Sequence, residues 1–218
     1  MPFPTVYKHH QIDMQHLVFS PPKATGGNMK MIDIYYQAEP NRREKLWLQL
    51  PKMRIPFGVS SSAQFSDRIT NPTFSILLGL DGCRAGDNNM AEFGEFLEGL
   101  EQAIVTAGSC NSANWFGRER TEYTVRELLK PILMADPENK WDPKIKVKLP
   151  KQWGRWEFQV FDQDKAPASV DDLAAGNEVV AVVELDAVWV SNGGLGASFK
   201  AKQLQVFKRE ELKQFIIS

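Results

Sequence analysis

The sequence predicts a mainly β protein with inserted α-helices, α+β overall, built as a single domain. Three observations carry this reading. Short apolar or alternating runs recur along the chain, one strongly amphipathic helix lies among them, and the regular strand–helix alternation of a doubly wound sheet is missing. The clearest strand pair lies late in the chain. A Val-rich run, Glu178–Val190, is followed by a glycine turn at Gly193–Gly196 and by an alternating run, Phe199–Phe207. Glycine admits positive φ, so the three together read as an antiparallel hairpin. A helix from Ala197 through Phe215 competes, because Phe207, Leu212 and Phe215 have partly helical spacing. The two readings differ at Lys200 and Lys202, which a strand points to one face and a helix separates by about 200°.

In chain order, residues 1–30 are polar and hold all three histidines, His9, His10 and His16, with Pro21-Pro22 and Gly26-Gly27. They read as a loosely packed N-terminal arm. Met31–Gln37 and Lys45–Leu50 read as strands, Pro51–Ser62 as a loop, and Phe74–Leu80 as a short apolar strand ended by Asp81-Gly82. Asn89–Ala107 is the clearest helix, because Met90, Phe93, Leu97, Leu100 and Ile104 fall on one face and Gly108 suits its stop. Thr121 is an N-cap for a second helix over Glu122–Met134, closed near Pro131. Lys144–Leu149 and Trp156–Phe161 read as strands, Ser169–Ala174 as one helical turn, and Glu210–Ile216 as a closing helix.

Length and charge set limits on partners. A chain of 218 residues suffices for one large domain with a sizeable core. The formal net charge of −1 means that any nucleic-acid site is a local basic patch and not a polycationic whole. Acid is gathered elsewhere: Asp87, Glu92, Glu95, Glu98 and Glu101 share a stretch without Lys or Arg. Two cysteines, Cys83 and Cys110, form neither a disulfide framework nor a zinc site and read as buried thiols of a reducing compartment. The sequence shows no signal peptide and no membrane-length apolar run, so an intracellular protein is expected.

The strongest basic and aromatic cluster is Lys140-Trp-Asp-Pro-Lys-Ile-Lys-Val-Lys-Leu-Pro-Lys-Gln-Trp-Gly-Arg-Trp156. Lys144, Lys146 and Lys148 share one face of a strand, and Lys151 and Arg155 follow. Such a row can track a phosphate backbone while Trp141 and Trp153 offer flat stacking surfaces. The plainer alternative is a solvated edge strand that uses lysine against aggregation. Asn114-Trp-Phe-Gly-Arg-Glu-Arg120 sets Trp115 beside Arg118 and Arg120, and arginine both stacks on bases and pairs with phosphate. Lys200, Lys202 and Phe199 bring the same chemistry to the hairpin, and Phe158 lies on the strand after Arg155. Trp47 and Trp189 are expected in the core.

Other chemistries find little footing. Gly194-Leu-Gly-Ala-Ser-Phe199 resembles half of a dinucleotide fingerprint but lacks the third glycine and the helix. Asp162-Gln-Asp-Lys lacks the glycine and terminal Glu of a calcium loop. A metal site or a His-dependent triad would have to be built on the first 16 residues. No cofactor, metal or catalytic residue is expected.

Four stretches, taken in order, resemble the single-stranded DNA-binding proteins of large nucleocytoplasmic DNA viruses, which are related in design to phage single-stranded DNA-binding proteins. They are Leu50-Pro-Lys-Met-Arg-Ile-Pro-Phe-Gly58, Asn114-Trp-Phe-Gly117, Lys144-Ile-Lys-Val-Lys-Leu-Pro150, and Val188-Trp-Val with Gly196 and Lys202-Gln-Leu-Gln-Val206. The resemblance implies an OB-like β-barrel over residues 31–218, enlarged by the helices. It implies a non-enzymatic, sequence-tolerant protein that coats single-stranded DNA in replication, recombination or repair, in host cytoplasm or nucleus if viral. The acidic tail of some phage relatives is replaced here by the mixed, amphipathic run Lys208–Ser218. RNA, a homo-oligomer and replication proteins are further partners the sequence allows; a membrane is not. The alternative function is a structural, self-assembling module such as a virion or scaffold protein, which apolar contacts would hold and salt would not weaken. A nuclease would need a carboxylate cluster holding a metal.

Overall fold

Alternating apolar and polar residues turn a large share of the chain into strands, most of them short. The computed structural model describes residues 4–25, 28–62, 72–81, 86–138 and 140–209. The strands before the helices are β1 (Val6–Lys8), β2 (Leu17–Phe19), β3 (Lys23–Ala24), β4 (Lys30–Glu39), β5 (Arg42–Glu44), β6 (Trp47–Gln49), β7 (Met53–Arg54), β8 (Val59–Ser61) and β9 (Phe74–Gly79). Helices α1 (Asn88–Cys110), α2 (Ser112–Phe116) and α3 (Glu122–Leu128) follow. The chain then forms β10 (Lys144–Leu149), β11 (Lys151–Gln152), β12 (Arg155–Trp156), β13 (Gln159–Phe161), β14 (Glu178–Ser191) and β15 (Gly194–Phe207).

Five of these strands close a ring. β14 pairs with β7, β7 with β9, β9 with β10, β10 with β15, and β15 again with β14. Only the β10–β15 contact in the ring is parallel. A closed five-stranded ring of this kind is an OB-like barrel, and closure removes the exposed edges of an open sheet. The barrel is filled by the inward residues of each strand, among them Ile76, Leu78, Ile145, Val147, Val183, Leu185, Phe199 and Leu204. The hairpin is present and the competing helix is not: β15 stays extended to Phe207, and Ser191 pairs with Gly194 across a tight turn. Register slips between Val182 and Val183 and between Leu185 and Ala187 bend β14. The bends let its free edge meet β7, β6 and β4 in succession.

The helices differ from expectation in instructive ways. Asp87 caps α1 by accepting the Met90 N–H at 3.2 Å, and Met90, Phe93, Leu97, Leu100 and Ile104 are buried on one face. Gly108 does not stop α1, which runs on to Cys110. A Cβ at Gly108 would stand 2.9 Å from Val125 Cγ1 and 3.4 Å from the Trp115 ring, so glycine here makes room for two core side chains. The second helix ends at Leu128 instead of Met134. Proline at 131 disfavours the helical conformation for Lys130, whose N–H bonds the Leu195 carbonyl at 2.8 Å instead. The expected loop 51–62 contains β7 and β8, and the expected strand 156–161 is split into β12 and β13. The helical turn near 169–174 is a 3₁₀ turn, Val170–Asp172, capped by Ser169. Gly26-Gly27 and the closing helix over Glu210–Ile216 lie outside the described residues.

The N-terminal segment is not loosely packed. β1 pairs in parallel with β6, and β2 and β3 both pair with β4. Between β1 and β2, His9 is only 6% exposed and lies against Phe93 and Phe96 of α1. Its Nε2 has no hydrogen-bond partner among the described residues, and Glu92 stands 3.9 Å away. Burial, with His10 beside it, holds the His9 pKa below the ordinary histidine value despite that carboxylate. The folded state therefore prefers neutral His9, while the unfolded chain takes up a proton near its ordinary pKa of about 6.5. Stability contributed by the neutral ring is expected to be intact above that pH and to fall as the pH drops below it. His9→Phe is expected to flatten this fall in thermal melts between about pH 7 and pH 5.

Candidate nucleic-acid interface

Strand parity creates the site. Because β10 alternates, Ile145, Val147 and Leu149 enter the core while Lys146 and Lys148 stand exposed and Lys144 half-exposed on the opposite face. Register carries that face sideways. Lys148 lies opposite Lys200 on β15, and Lys200 lies opposite Glu184 on β14. Two steps back along β15, Ser198 faces Ala187, and Gly196 faces Trp189. The Trp189 ring lies directly on Gly196, where an added Cβ would be 2.7 Å from it. On β6, Trp47 pairs with Glu184, and the Lys202 ammonium sits 5.3 Å from the Trp47 ring centre. Trp47 and Trp189, expected in the core, are thus half-buried on the lysine face.

Two adjoining depressions share Lys146 and Lys148. One, of about 300 Å³, is lined by Lys130, Lys146, Lys148, Trp189 and Gly196–Phe199, with no Asp or Glu among its described lining residues. The other, of about 460 Å³, adds Lys151 and Lys200 but also Glu157 and Asp186. The cations therefore differ in freedom. Lys148 stands 3.8 Å from Asp186, Lys200 3.6 Å from Glu157, and Lys202 2.5 Å from the largely buried Glu184. Lys144 Nζ donates to the Asp142 carbonyl at 3.3 Å. Lys146 forms no ion pair among the described residues. Further along the sheet, Asp33 accepts from Lys23 at 2.6 Å and Lys45 at 2.9 Å. Those two bonds hold the Asp33 carboxyl below the usual carboxylate range and leave both lysines occupied.

The remaining sequence candidates fall into separate places. Arg118 and Arg120 line a cavity of about 370 Å³ with Lys30, Phe116, Val190 and Asn192, again without a described carboxylate. The Arg120 guanidinium lies 5.0 Å from the Phe116 ring centre, and its buried Nε has no hydrogen-bond partner among the described residues. Lys151 sits over Trp156 at 4.6 Å, and Arg155 is exposed on the small β11–β12 ribbon. Trp153 at the tip of that ribbon is 93% exposed with φ 52°. Trp141 is exposed in a different cavity, beside Lys144.

Three aromatic candidates are corrected by burial. Trp115 is 2% exposed because it fills the space beside Gly108, with the Phe19 ring centre 5.8 Å away. Phe199 follows the inward parity of β15, and Phe158 is buried edge-on to Trp156. None presents a face on which a base could stack. Parity also carried the signal for the missed Trp189: once Ser191 pairs with Gly194, Trp189 shares the face of Ser198 and Lys200. Cys110 is exposed instead of buried, and Cys83 lies outside the described residues. Among the described residues no group of three or more His, Cys, Asp or Glu could hold a metal ion, and no helix is long and apolar enough to cross a membrane.

Residues 88–216 match the model of a family described as a family of unknown function, DUF5871. The chain belongs to that family. No curated protein matches it. Among solved structures, gp2.5, a single-stranded DNA-binding protein encoded by bacteriophage T7, is similar with a TM-score of 0.50 at 7% identity, over 79% of this chain and 97% of that one. The single-stranded DNA-binding protein of bacteriophage Enc34 gives a TM-score of 0.45 at 12% identity, over 92% of this chain and 96% of that one. Its C-terminally truncated form gives 0.46 at 12% identity, over 90% and 98%. At 7% identity the likeness to gp2.5 is one of fold.

The unequal pairing of the lysines has a measurable consequence. Lys146→Met is expected to change stability by less than about 0.5 kcal/mol, as at an open surface position. Lys202→Met leaves the Glu184 carboxylate buried without its partner and is expected to cost about 2 kcal/mol or more in urea unfolding.

Proposed function

We propose that this chain is a non-enzymatic, sequence-tolerant single-stranded DNA-binding protein acting inside the cell in replication, recombination or repair. The observation that carries the reading is the depression shared by Lys130, Lys146 and Lys148, with Trp189 in its wall and no carboxylate among its described lining residues. Phosphates need cations that are not already occupied, and bases need flat apolar surfaces beside them. Lys146, without an ion pair among the described residues, supplies the first together with Lys144, with Lys148 beside them in spite of Asp186 3.8 Å away and with Arg118 and Arg120 at the far end of β14, and Trp189 joins Trp141 and Trp153 in supplying the second. A strand face without a recognition helix suits a flexible single strand more than the major groove of a duplex. Shared fold with gp2.5 supports the reading, and the link to large nucleocytoplasmic DNA viruses rests on the four sequence stretches. RNA, a second copy of the chain and replication proteins are further partners of this reading.

Fluorescence anisotropy with matched single-stranded DNA, single-stranded RNA and duplex DNA tests it. Single strands are expected to bind more tightly than the duplex, with affinity falling steeply as salt rises. Equal or tighter duplex binding would overturn the proposal. Lys144→Glu combined with Lys146→Glu is expected to lower the affinity and to flatten the salt slope by about 0.7 for each phosphate that is no longer neutralised. An unchanged slope in the folded double variant would mark the row as a solvated strand face.

A further inference from the structure

Two of the most exposed aromatic side chains share one cavity. Phe57 is 70% exposed and Trp141 64%, and both line a space of about 690 Å³ with Arg54, Lys140 and Lys144. Neither is carried by a loose end. Phe57 follows Ile55, which is fully buried and bonded through its N–H to the Asn177 carbonyl and through its carbonyl to the Gly176 N–H, both at 2.8 Å. Gly58 after it has φ +71°, and the chain then enters β8 at Val59. Trp141 is held from the other side. The Lys140 N–H bonds the Asp136 carboxylate at 2.7 Å, the Pro143 carbonyl accepts from Leu80 at 2.8 Å, and Lys144 pairs with Met134.

Large apolar rings fixed in water by anchored turns leave apolar surface unburied in the free protein, and a ligand with a flat face would cover it. The charges select that ligand. Lys144, the first lysine of the β10 row, is also in this cavity wall, so one continuous strand face leads from the phosphate-binding row to the two rings. Asp81 in the wall is engaged by Arg54 and Lys140 pairs with Glu138, while Asp142 adds a negative charge beside Trp141.

We propose that Phe57 and Trp141 form a base-binding site at the Lys144 end of the lysine row, where an unpaired base of a single strand stacks while Lys144 holds its flanking phosphate. The proposal rests on the single-strand binding proposed above and assigns Phe57 a part in it. Every base has a π-face, so the site adds affinity without reading sequence.

The test compares oligo-dT with a strand of equal length whose central nucleotides are abasic, which keeps the phosphates and removes the bases. Phe57→Ala and Trp141→Ala are each expected to weaken oligo-dT binding by about 5- to 150-fold and to leave the abasic strand's affinity unchanged. Tyr123→Ala, an exposed aromatic on α3 outside the proposed interface, serves as the control. Phe57→Leu keeps apolar bulk, guards against a folding artefact, and is expected to lose most of the same affinity. Unchanged oligo-dT affinity in both alanine variants, or an equal loss on the abasic strand, would overturn the base site while the lysine row stood. A wild-type protein that binds neither strand would overturn the proposed function itself.

Discussion

Strand β14 is the constraint from which the rest of the molecule follows. It hydrogen-bonds to β15 along its whole length on one edge and to β7, β6 and β4 in turn on the other. A straight strand could not serve all four, because a barrel wall and a flanking sheet diverge as each twists. The slips at Val182/Val183 and Leu185/Ala187 resolve the conflict by bending the strand between its partners. Ring closure through β7, β9 and β10 then fixes which face of β15 looks outward. The lysine row and Trp189 share a surface because pairing register leaves them no other place.

The electrostatics of that surface explain how a chain of net charge −1 can hold a basic site. Acid is used in two ways. Asp33, Glu184, Asp186 and Glu157 each stand beside a lysine of the sheet, fixing its position while cancelling its charge. A second group lies along α1, where Asp87 caps the first turn and Glu101 accepts the Ile132 N–H at 2.5 Å. None of these carboxylates is among the described residues that line the depression between Lys130 and Lys148, although Asp186 stands 3.8 Å from Lys148. Its free charge comes from few residues, so Lys146 matters more than its place in the row suggests.

What the sequence made legible was whatever depends on local pattern. The alternation in Lys144–Leu149 and the apolar face of α1 appear where periodicity placed them, and the glycine turn after β14 is present but tighter than expected, with Gly194–Gly196 already paired in β15. The misreadings arise where packing between distant elements decides. Gly108 reads as a helix stop, yet it serves Trp115 and Val125, which arrive from later in the chain. The N-terminal arm reads as loose because it is polar and broken by Pro21-Pro22 and Gly26-Gly27, and its order comes from the three-residue β1 pairing with β6 across some forty residues of sequence. Aromatic residues were the hardest to sort. Trp115 and Trp141 both sit among basic neighbours, and nothing local separates the one that fills a core gap from the one left in water.

Phe57 shows why the site was less legible than the fold. Its stretch, Pro56-Phe-Gly58, has no charge and no periodicity, and as sequence it is the middle of a loop over Pro51–Ser62. Its interest comes from Ile55 and Asn177, which are 122 positions apart yet bonded, and from Trp141, which a different loop brings to the same cavity. A binding surface on a barrel is assembled from loop tips and strand faces that only closure brings together. Strand lysines can be read in advance because their spacing is dictated by the strand. Loop aromatics cannot, since their direction is set by anchors elsewhere in the fold. On the proposed function the same division would shape the chemistry: the rigid strand would space the cations regularly for a repeating phosphate backbone, and the anchored turns would offer rings to bases without reading their identity.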